Sequence, residues 1–171
     1  MKPITRANHP PRVRVPDDDR PLVAPIHQTV KFEFDDTAET LRLLHGEREG
    51  YWYSRSGNPT TRALELLLAE LQGRDECIVT GSGVAAVSVS LLALLKQGDH
   101  VLCFVETYGP TRWLIRRLLQ RFGVAHTMLS IEDHAGIERT LRERPTRLVW
   151  VETPTNPMLK IADVEFIVGA A

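Results

Sequence analysis

Lysine is scarce in this sequence. Of its 21 basic residues only Lys2, Lys31, Lys96 and Lys160 are lysine, and the other 17 are arginine, so any chemistry needing a primary amine has four candidates. Cysteine is scarcer still: Cys77 and Cys103 lie far apart in apolar runs, without Cys-x-x-Cys spacing. That excludes a disulfide framework and reads as two buried thiols in a reducing cytosol. Charge excess is absent as well, with 21 basic against 22 acidic residues, so nothing drives the chain toward nucleic acid or an anionic membrane. No apolar run reaches the roughly 18 residues of a membrane span. The first twenty residues lack the apolar stretch of a secretory signal. A soluble, cytoplasmic protein without a metal site is the expectation.

What is present is a globular balance, 43% hydrophobic and 25% charged over 171 residues, about one domain in length. Residues 1–20, rich in proline and mixed charge, read as an extended or disordered arm. Residues 21–60 form an irregular N-terminal segment with one short helix over 37–44, begun by Asp35 or Asp36 and ended near Gly46. A segment of this length without its own core usually lies against another domain or subunit.

Residues 61–171 read as an α/β domain. Ala63, Leu64, Leu67, Leu68 and Leu71 recur at helical spacing, with Thr60 or Thr61 as the cap and Gly73 as the stop. Cys77–Thr80 reads as a short strand. The helix over 84–96 is apolar all round and is therefore expected to be buried. Strands over 101–106, 125–130 and 147–152 alternate with helices over 111–122 and 133–143, and Asp163 caps a last helix. Short apolar strands alternating with helices imply a parallel sheet of βαβ units.

In such a sheet ligands bind beyond the carboxyl ends of the strands. Three loops qualify: Gly81-Ser82-Gly83, the run from Glu106 to Thr111, and the run from Thr153 to Pro157. The first leads into a helix start, where free amides and the helix dipole favour a phosphate. It also fits Gly-x-Gly-x-x-Ala, with Glu106 placed as a ribose-binding acid, which alone would suggest a dinucleotide. Tyr108 offers a flat face for an aromatic ligand. Asn156 stands in a turn stiffened by two prolines. Tyr53 and Arg55 face one side of an extended segment, and a phenol beside a guanidinium suits a phosphate.

Together YSRSGNPT (53–60), TGSGVAAV (80–87), GDHVLCFVETYGPT (98–111) and ETPTNPMLKIAD (152–163) resemble the pyridoxal-phosphate enzymes of cysteine and methionine metabolism. These are the cystathionine β-lyases, γ-synthases and γ-lyases and the methionine γ-lyases. PLVAPIHQTVKFEF (21–34) is similar to that family's N-terminal segment, so the match runs from about residue 21 to 171. The resemblance implies the N-terminal part of a fold-type-I pyridoxal-phosphate enzyme, with pyridoxal 5′-phosphate as cofactor and a small sulfur-containing amino acid as substrate. It implies a homo-oligomer, a dimer of dimers. Gly83 and Val84 match the pair whose amides hold the phosphate, Val84 standing where the family often has methionine. Tyr108 matches the tyrosine that stacks on the ring and positions substrate, and Asn156 the asparagine near the ring hydroxyl. Tyr53 and Arg55 match the pair that reaches the phosphate of a neighbouring subunit.

The family's pyridinium-binding Asp and Schiff-base Lys match nothing in these 171 residues. Lys160, the one lysine near a site loop, fits no Schiff-base motif and is expected to be solvated. The chain alone is therefore expected to be inactive, either as part of a longer enzyme or as a shortened homologue that associates with a full-length subunit. TYGPTR (107–112) with LLQRFGV (118–124) looks most like the β-lyases, with γ-synthase and γ-lyase as alternatives.

Overall fold

In a computed structural model, residues 21–171 are described; the arm expected over residues 1–20 lies outside them. The described residues divide into two compact units, the first ending at Val79 and the second spanning Thr80–Ala171. No helix of the described residues is long and apolar enough to cross a membrane.

In the first unit, helix α1 spans Thr37–Leu44. The Asp36 carboxylate accepts from Glu39 N at 2.8 Å, so Asp36 is the cap, and Gly46 ends the turn at φ 74°, a left-handed conformation glycine adopts without Cβ strain. Helix α2 spans Pro59–Leu71. Its cap is Asn58 rather than the expected Thr60 or Thr61, because Pro59 takes the first helical position, where its missing N–H costs nothing. The Asn58 amide also donates to His27 O and Ser54 Oγ, both at 2.9 Å. Around it, Lys31 and Tyr53 form an antiparallel bridge, so the irregular segment is laid out by backbone bonding. The apolar stripe of α2 is not covered: Leu64 and Leu67 are exposed, Leu71 is 69% exposed, and Ala69 is the helix's one buried residue.

The second unit is built on three parallel strands, β1 (His100–Phe104), β2 (Ala125–Leu129) and β3 (Thr146–Trp150), in the order β2-β1-β3. β1 is buried along its whole length and paired on both edges. Its side chains alternate between two cores, as a pleated strand requires. Val101 and Cys103 pack with Leu91 of helix α3 (Gly83–Leu94), with Leu95, which caps it, and with Leu114, Ile115 and Leu119. Those last three belong to a π-helical stretch, Leu114–Leu119, that continues helix α4 (Gly109–Trp113). Leu102 and Phe104 face the other way, toward Ile137 of helix α5 (His134–Glu143) and Ile167 of helix α6 (Val164–Ala170). The sheet is thus sandwiched between helical layers, the α/β arrangement the sequence implied. At the amino ends of the strands, buried His100 joins all three, its ring nitrogens 2.9 Å from Thr146 Oγ1 and Thr127 Oγ1.

Three expectations are corrected. Residues 77–80 are not a strand; a strand exists by pairing, and none of the sheet's ladders includes them. Helix α3 is not enclosed: Val89, Leu92 and Leu94 are exposed while Leu91 is fully buried, because one face meets the sheet and nothing in this unit covers the other. The two thiols differ, Cys103 being buried and Cys77 only partly so.

Burial pushes the Cys103 thiol up to about 11, and only thiolate is nucleophilic. In the native chain at mildly alkaline pH, iodoacetamide should label Cys77 first. Cys103 should react only as denaturant opens the fold. Peptide mass mapping over a time course checks this, and equal labelling rates would contradict the described core.

Candidate functional site

The course of the chain creates a crevice. From β1 the chain crosses to β2 through α4 and the π-helical stretch on one face of the sheet; from β2 it crosses back past β1 to β3 through α5 on the other face. Reversing direction while changing face keeps both crossovers of one hand, as parallel sheets demand. In consequence the chain leaves neighbouring strands β1 and β3 toward opposite faces, into α4 and α6. Such a switch point is where open α/β sheets bind ligands. The loop after β1 carries Tyr108, 45% exposed, and the loop after β3 carries Asn156, also exposed. Two of the anticipated residues therefore stand on loops that follow neighbouring strands.

Two acids tie these loops together. The Glu152 carboxylate, just beyond β3, accepts the backbone N–H of Tyr108 at 2.8 Å and the indole N–H of Trp150 at 3.2 Å. Glu106, just beyond β1, accepts from Ser130 Oγ at 2.8 Å and from Ile131 N at 3.1 Å. Lys160 Nζ donates to Glu132 at 2.6 Å and to Glu106 at 3.4 Å, joining the loops after all three strands. Lys160 N donates to Thr155 Oγ1 at 3.0 Å and Thr155 N to Lys160 O at 2.9 Å. Buried Thr155 anchors the turn, which has cis bonds before Pro154 and Pro157, and presents Asn156 outward.

Gly83 opens α3, whose cap Ser82 accepts from Ala85 N at 3.1 Å. The amides of Gly83 and Val84 fall in the first turn, which has no intrahelical acceptors, and a Cβ added at Gly81 or Gly83 would meet nothing within 4 Å. Because α3 packs along β1 and ends where β1 begins, its first turn lies toward the carboxyl ends of the strands. An open, amide-lined helix start fits a phosphate. The exposed face of Tyr108 fits a planar ring. Among the described residues the buried side-chain polar atoms without a protein partner are Thr107 Oγ1 and Arg112 Nε, and both lie in the Tyr108 region. Unmet buried polar groups of this kind call for an explanation such as a ligand-binding role. In the first unit the Arg55 guanidinium lies 4.7 Å from the centre of the Tyr53 ring, so these two residues form a stacked pair. The described residues hold no cluster of His, Cys, Asp or Glu able to bind a metal.

Two sequence expectations change. Lys160 is not simply solvated; it is partly buried and salt-bridged to two carboxylates. Glu106 is not free for a ribose, since its carboxylate is taken by Ser130, Ile131 and Lys160 and its side chain is 9% exposed. That removes the acid the dinucleotide alternative needs. Glu152 escaped the sequence reading altogether. Its one signal is an acid directly after the apolar run Leu148–Val151.

Burial alone would raise the Glu106 carboxyl, but the bonds from Ser130, the Ile131 and Glu106 amides and Lys160 outweigh it and hold it below the usual carboxylate range. A carboxyl lowered in the fold adds stability that is present at neutral pH and lost as pH falls through its folded value. Glu106→Gln should therefore melt below wild type at neutral pH, and the gap should close on acidification. Thermal melts between about pH 4 and 7 check this; a gap constant with pH would remove the charge from the account.

Comparison with known proteins agrees with the geometry. The family described as Cys/Met metabolism PLP-dependent enzyme matches residues 12–171. An L-methionine gamma-lyase of Fusobacterium nucleatum subsp. polymorphum is 40% identical over 144 residues, which are 84% of this chain and 36% of that protein. A probable cystathionine gamma-synthase of Herpetosiphon aurantiacus is 35% identical over 150 residues, covering 88% and 44% respectively. A solved putative O-acetylhomoserine (thiol)-lyase of Campylobacter jejuni superposes with a TM-score of 0.78 at 31% identity, over 91% of this chain and 38% of that one, and carries pyridoxyl-lysine monophosphate. The chain spans well under half the length of these relatives. With its fold, crevice and sequence in accord, the chain belongs to the pyridoxal-phosphate-dependent enzymes of cysteine and methionine metabolism, the N-terminal portion of whose fold-type-I architecture it forms.

Proposed function

We propose that this chain supplies the phosphate- and ring-holding part of an enzyme that breaks or exchanges the carbon–sulfur bond of a small amino acid. What supports this reading is that Tyr108 and Asn156 are both exposed, on the loops that follow the neighbouring parallel strands β1 and β3. Pyridoxal phosphate, when bound, supplies an electron sink for the substrate's α-carbon. The chain's own residues then divide the binding work. Gly83 and Val84 offer first-turn amides to the phosphate, with the helix dipole behind them. Tyr108 lays its ring against the cofactor, and Asn156 directs its amide toward the ring hydroxyl. Arg55 supplies a cation, and Tyr53, stacked beneath it, a phenol, to the phosphate of a neighbouring subunit, which makes an oligomer the working form.

The lysines bear on turnover. Lys31 lies in the first unit, and Lys96 lies between α3 and β1, at the amino ends of the strands. Lys160 Nζ is bonded to Glu132 and Glu106; the Glu132 hydrogen bond is the largest of the effects raising its pKa. A nucleophilic amine must be neutral and unengaged, so Lys160 cannot serve as one. These 171 residues alone should release neither pyruvate nor 2-oxobutanoate from cystathionine, and release of either would overturn this assignment.

For the reaction branch, the relatives named as methionine gamma-lyase and cystathionine gamma-synthase favour chemistry at the γ-carbon over the β-lyase reading of TYGPTR and LLQRFGV. In a longer protein carrying this chain, 2-oxobutanoate from cystathionine would mark γ-cleavage and pyruvate β-cleavage. In the same protein, Tyr108→Ala should weaken cofactor binding about 2- to 10-fold, the range for an aromatic stacking pair of about 0.5–1.5 kcal/mol. An unchanged dissociation constant by cofactor absorbance would exclude Tyr108 from the site.

A further inference from the structure

The geometry points to Glu152 as the positioning residue that fixes the face of Tyr108. This rests on the reading of Tyr108 as the residue that lies against the cofactor ring. The Tyr108 side chain is half exposed, and none of the aromatic pairs formed by the described residues includes it. Its direction therefore follows from its backbone. On the carbonyl side, Tyr108 O accepts from Arg112 N at 3.1 Å, and Arg112 Nη1 closes the loop by donating to Val105 O at 2.9 Å. On the amide side the partner is Glu152, 44 residues away at the end of the neighbouring strand.

That contact has three properties a positioning residue requires. It is charge-assisted, and so stronger than an amide–amide bond. The second carboxylate oxygen is occupied by the Trp150 indole, which fixes the rotation of the acceptor; Trp150 in turn packs against the core cluster of α3 and the π-helical stretch. Finally, Glu152 immediately precedes Thr153, whose hydroxyl accepts from Ala162 N at 3.1 Å in closing the Asn156 turn. Alongside the Lys160–Glu106 bond, this carboxylate thus ties together the loops that carry Tyr108 and Asn156, and it is the group that holds the Tyr108 peptide itself. Removing it frees the Tyr108 peptide to rotate and releases the ring from its plane without altering the ring itself.

The chain has three tyrosines, so 15N-tyrosine labelling gives three backbone amide signals, with Tyr108 assigned through Tyr108→Phe. In Glu152→Gln the Tyr108 amide proton should move upfield, since a neutral acceptor replaces a charged one, while Tyr51 and Tyr53 stay as controls. An unmoved Tyr108 signal overturns the contact. The functional arm titrates pyridoxamine phosphate, which binds without a lysine bond, and follows its fluorescence. Glu152→Ala should weaken binding about as much as Tyr108→Ala, about 2- to 10-fold. The double variant should be no weaker than either single one, and Glu152→Gln, which keeps one acceptor oxygen, should recover part of the loss. Additive losses, or full affinity in Glu152→Ala, overturn the positioning role. Absence of any binding by the wild-type chain overturns the proposed function itself; a Tyr108 signal that still responds then marks Glu152 as a contact of the fold alone.

Discussion

The second unit depends on the burial of β1 on both faces and its pairing on both edges. A strand in that position has no side left for solvent, so Val101, Leu102, Cys103 and Phe104 must all be apolar, and helices must cover the sheet from both directions. The chain can meet that demand with same-handed crossovers only by reversing direction at β1. The reversal parts the loops after β1 and β3. The parting of these loops is a consequence of enclosing one strand, and Tyr108 and Asn156, the proposed binding residues, are carried on them.

Divergence parts the two loops, as ligand sites in open α/β sheets require, but also removes mutual apolar packing between them. Their relative position then has to come from polar bonds at the ends of apolar strands. Glu106 and Glu152 stand there for complementary reasons. Glu106 is largely buried and is compensated by the Lys160 ammonium, because an uncompensated buried carboxylate is costly. Glu152 faces two neutral donors, a backbone amide and an indole. One acid locks the frame, while the other fixes the orientation of a single peptide. Both act at the rim, where a small shift of Tyr108 would be felt directly by anything held in the crevice.

How much of this was legible in the sequence follows from the range of each interaction. Local signals were read well. The helix 37–44 coincides with α1, the strand cores fall within about one residue of expectation at their starts, and Gly46, Gly73, Gly98 and Gly123 all take positive φ where helices or turns close. The strand–loop arithmetic also placed Tyr108 and Asn156 correctly on neighbouring strand ends. Non-local features were not legible. Whether residues 77–80 form a strand depends on a partner that composition cannot name. Whether α3 is enclosed depends on what covers its second face. The Glu152–Tyr108 and Lys160–Glu106 bonds link residues 44 and 54 positions apart, and no spacing rule reaches that far. Asn58 was missed for a smaller reason: Pro59 moved the helix start one residue upstream of the threonines that looked like caps.

Lys160 shows why a residue type near a site is weak guidance to its role. In a chain with so few lysines, an amine beside the crevice invites a catalytic reading. Its surroundings argue the opposite. A Schiff-base nucleophile works in a setting that lowers its basicity, through burial away from anions or beside other cations. Lys160 has Glu132 and Glu106 within ion-pair distance, and both favour the charged form. The same positive charge that disqualifies it as a nucleophile permits Glu106 to stay ionised while largely buried and holds the loops after three strands in register. Replacing Lys160 with arginine would preserve charge but not the compact ammonium that reaches two carboxylates at once. Lysine suits this position by its geometry, in a sequence that otherwise uses arginine for nearly every cation.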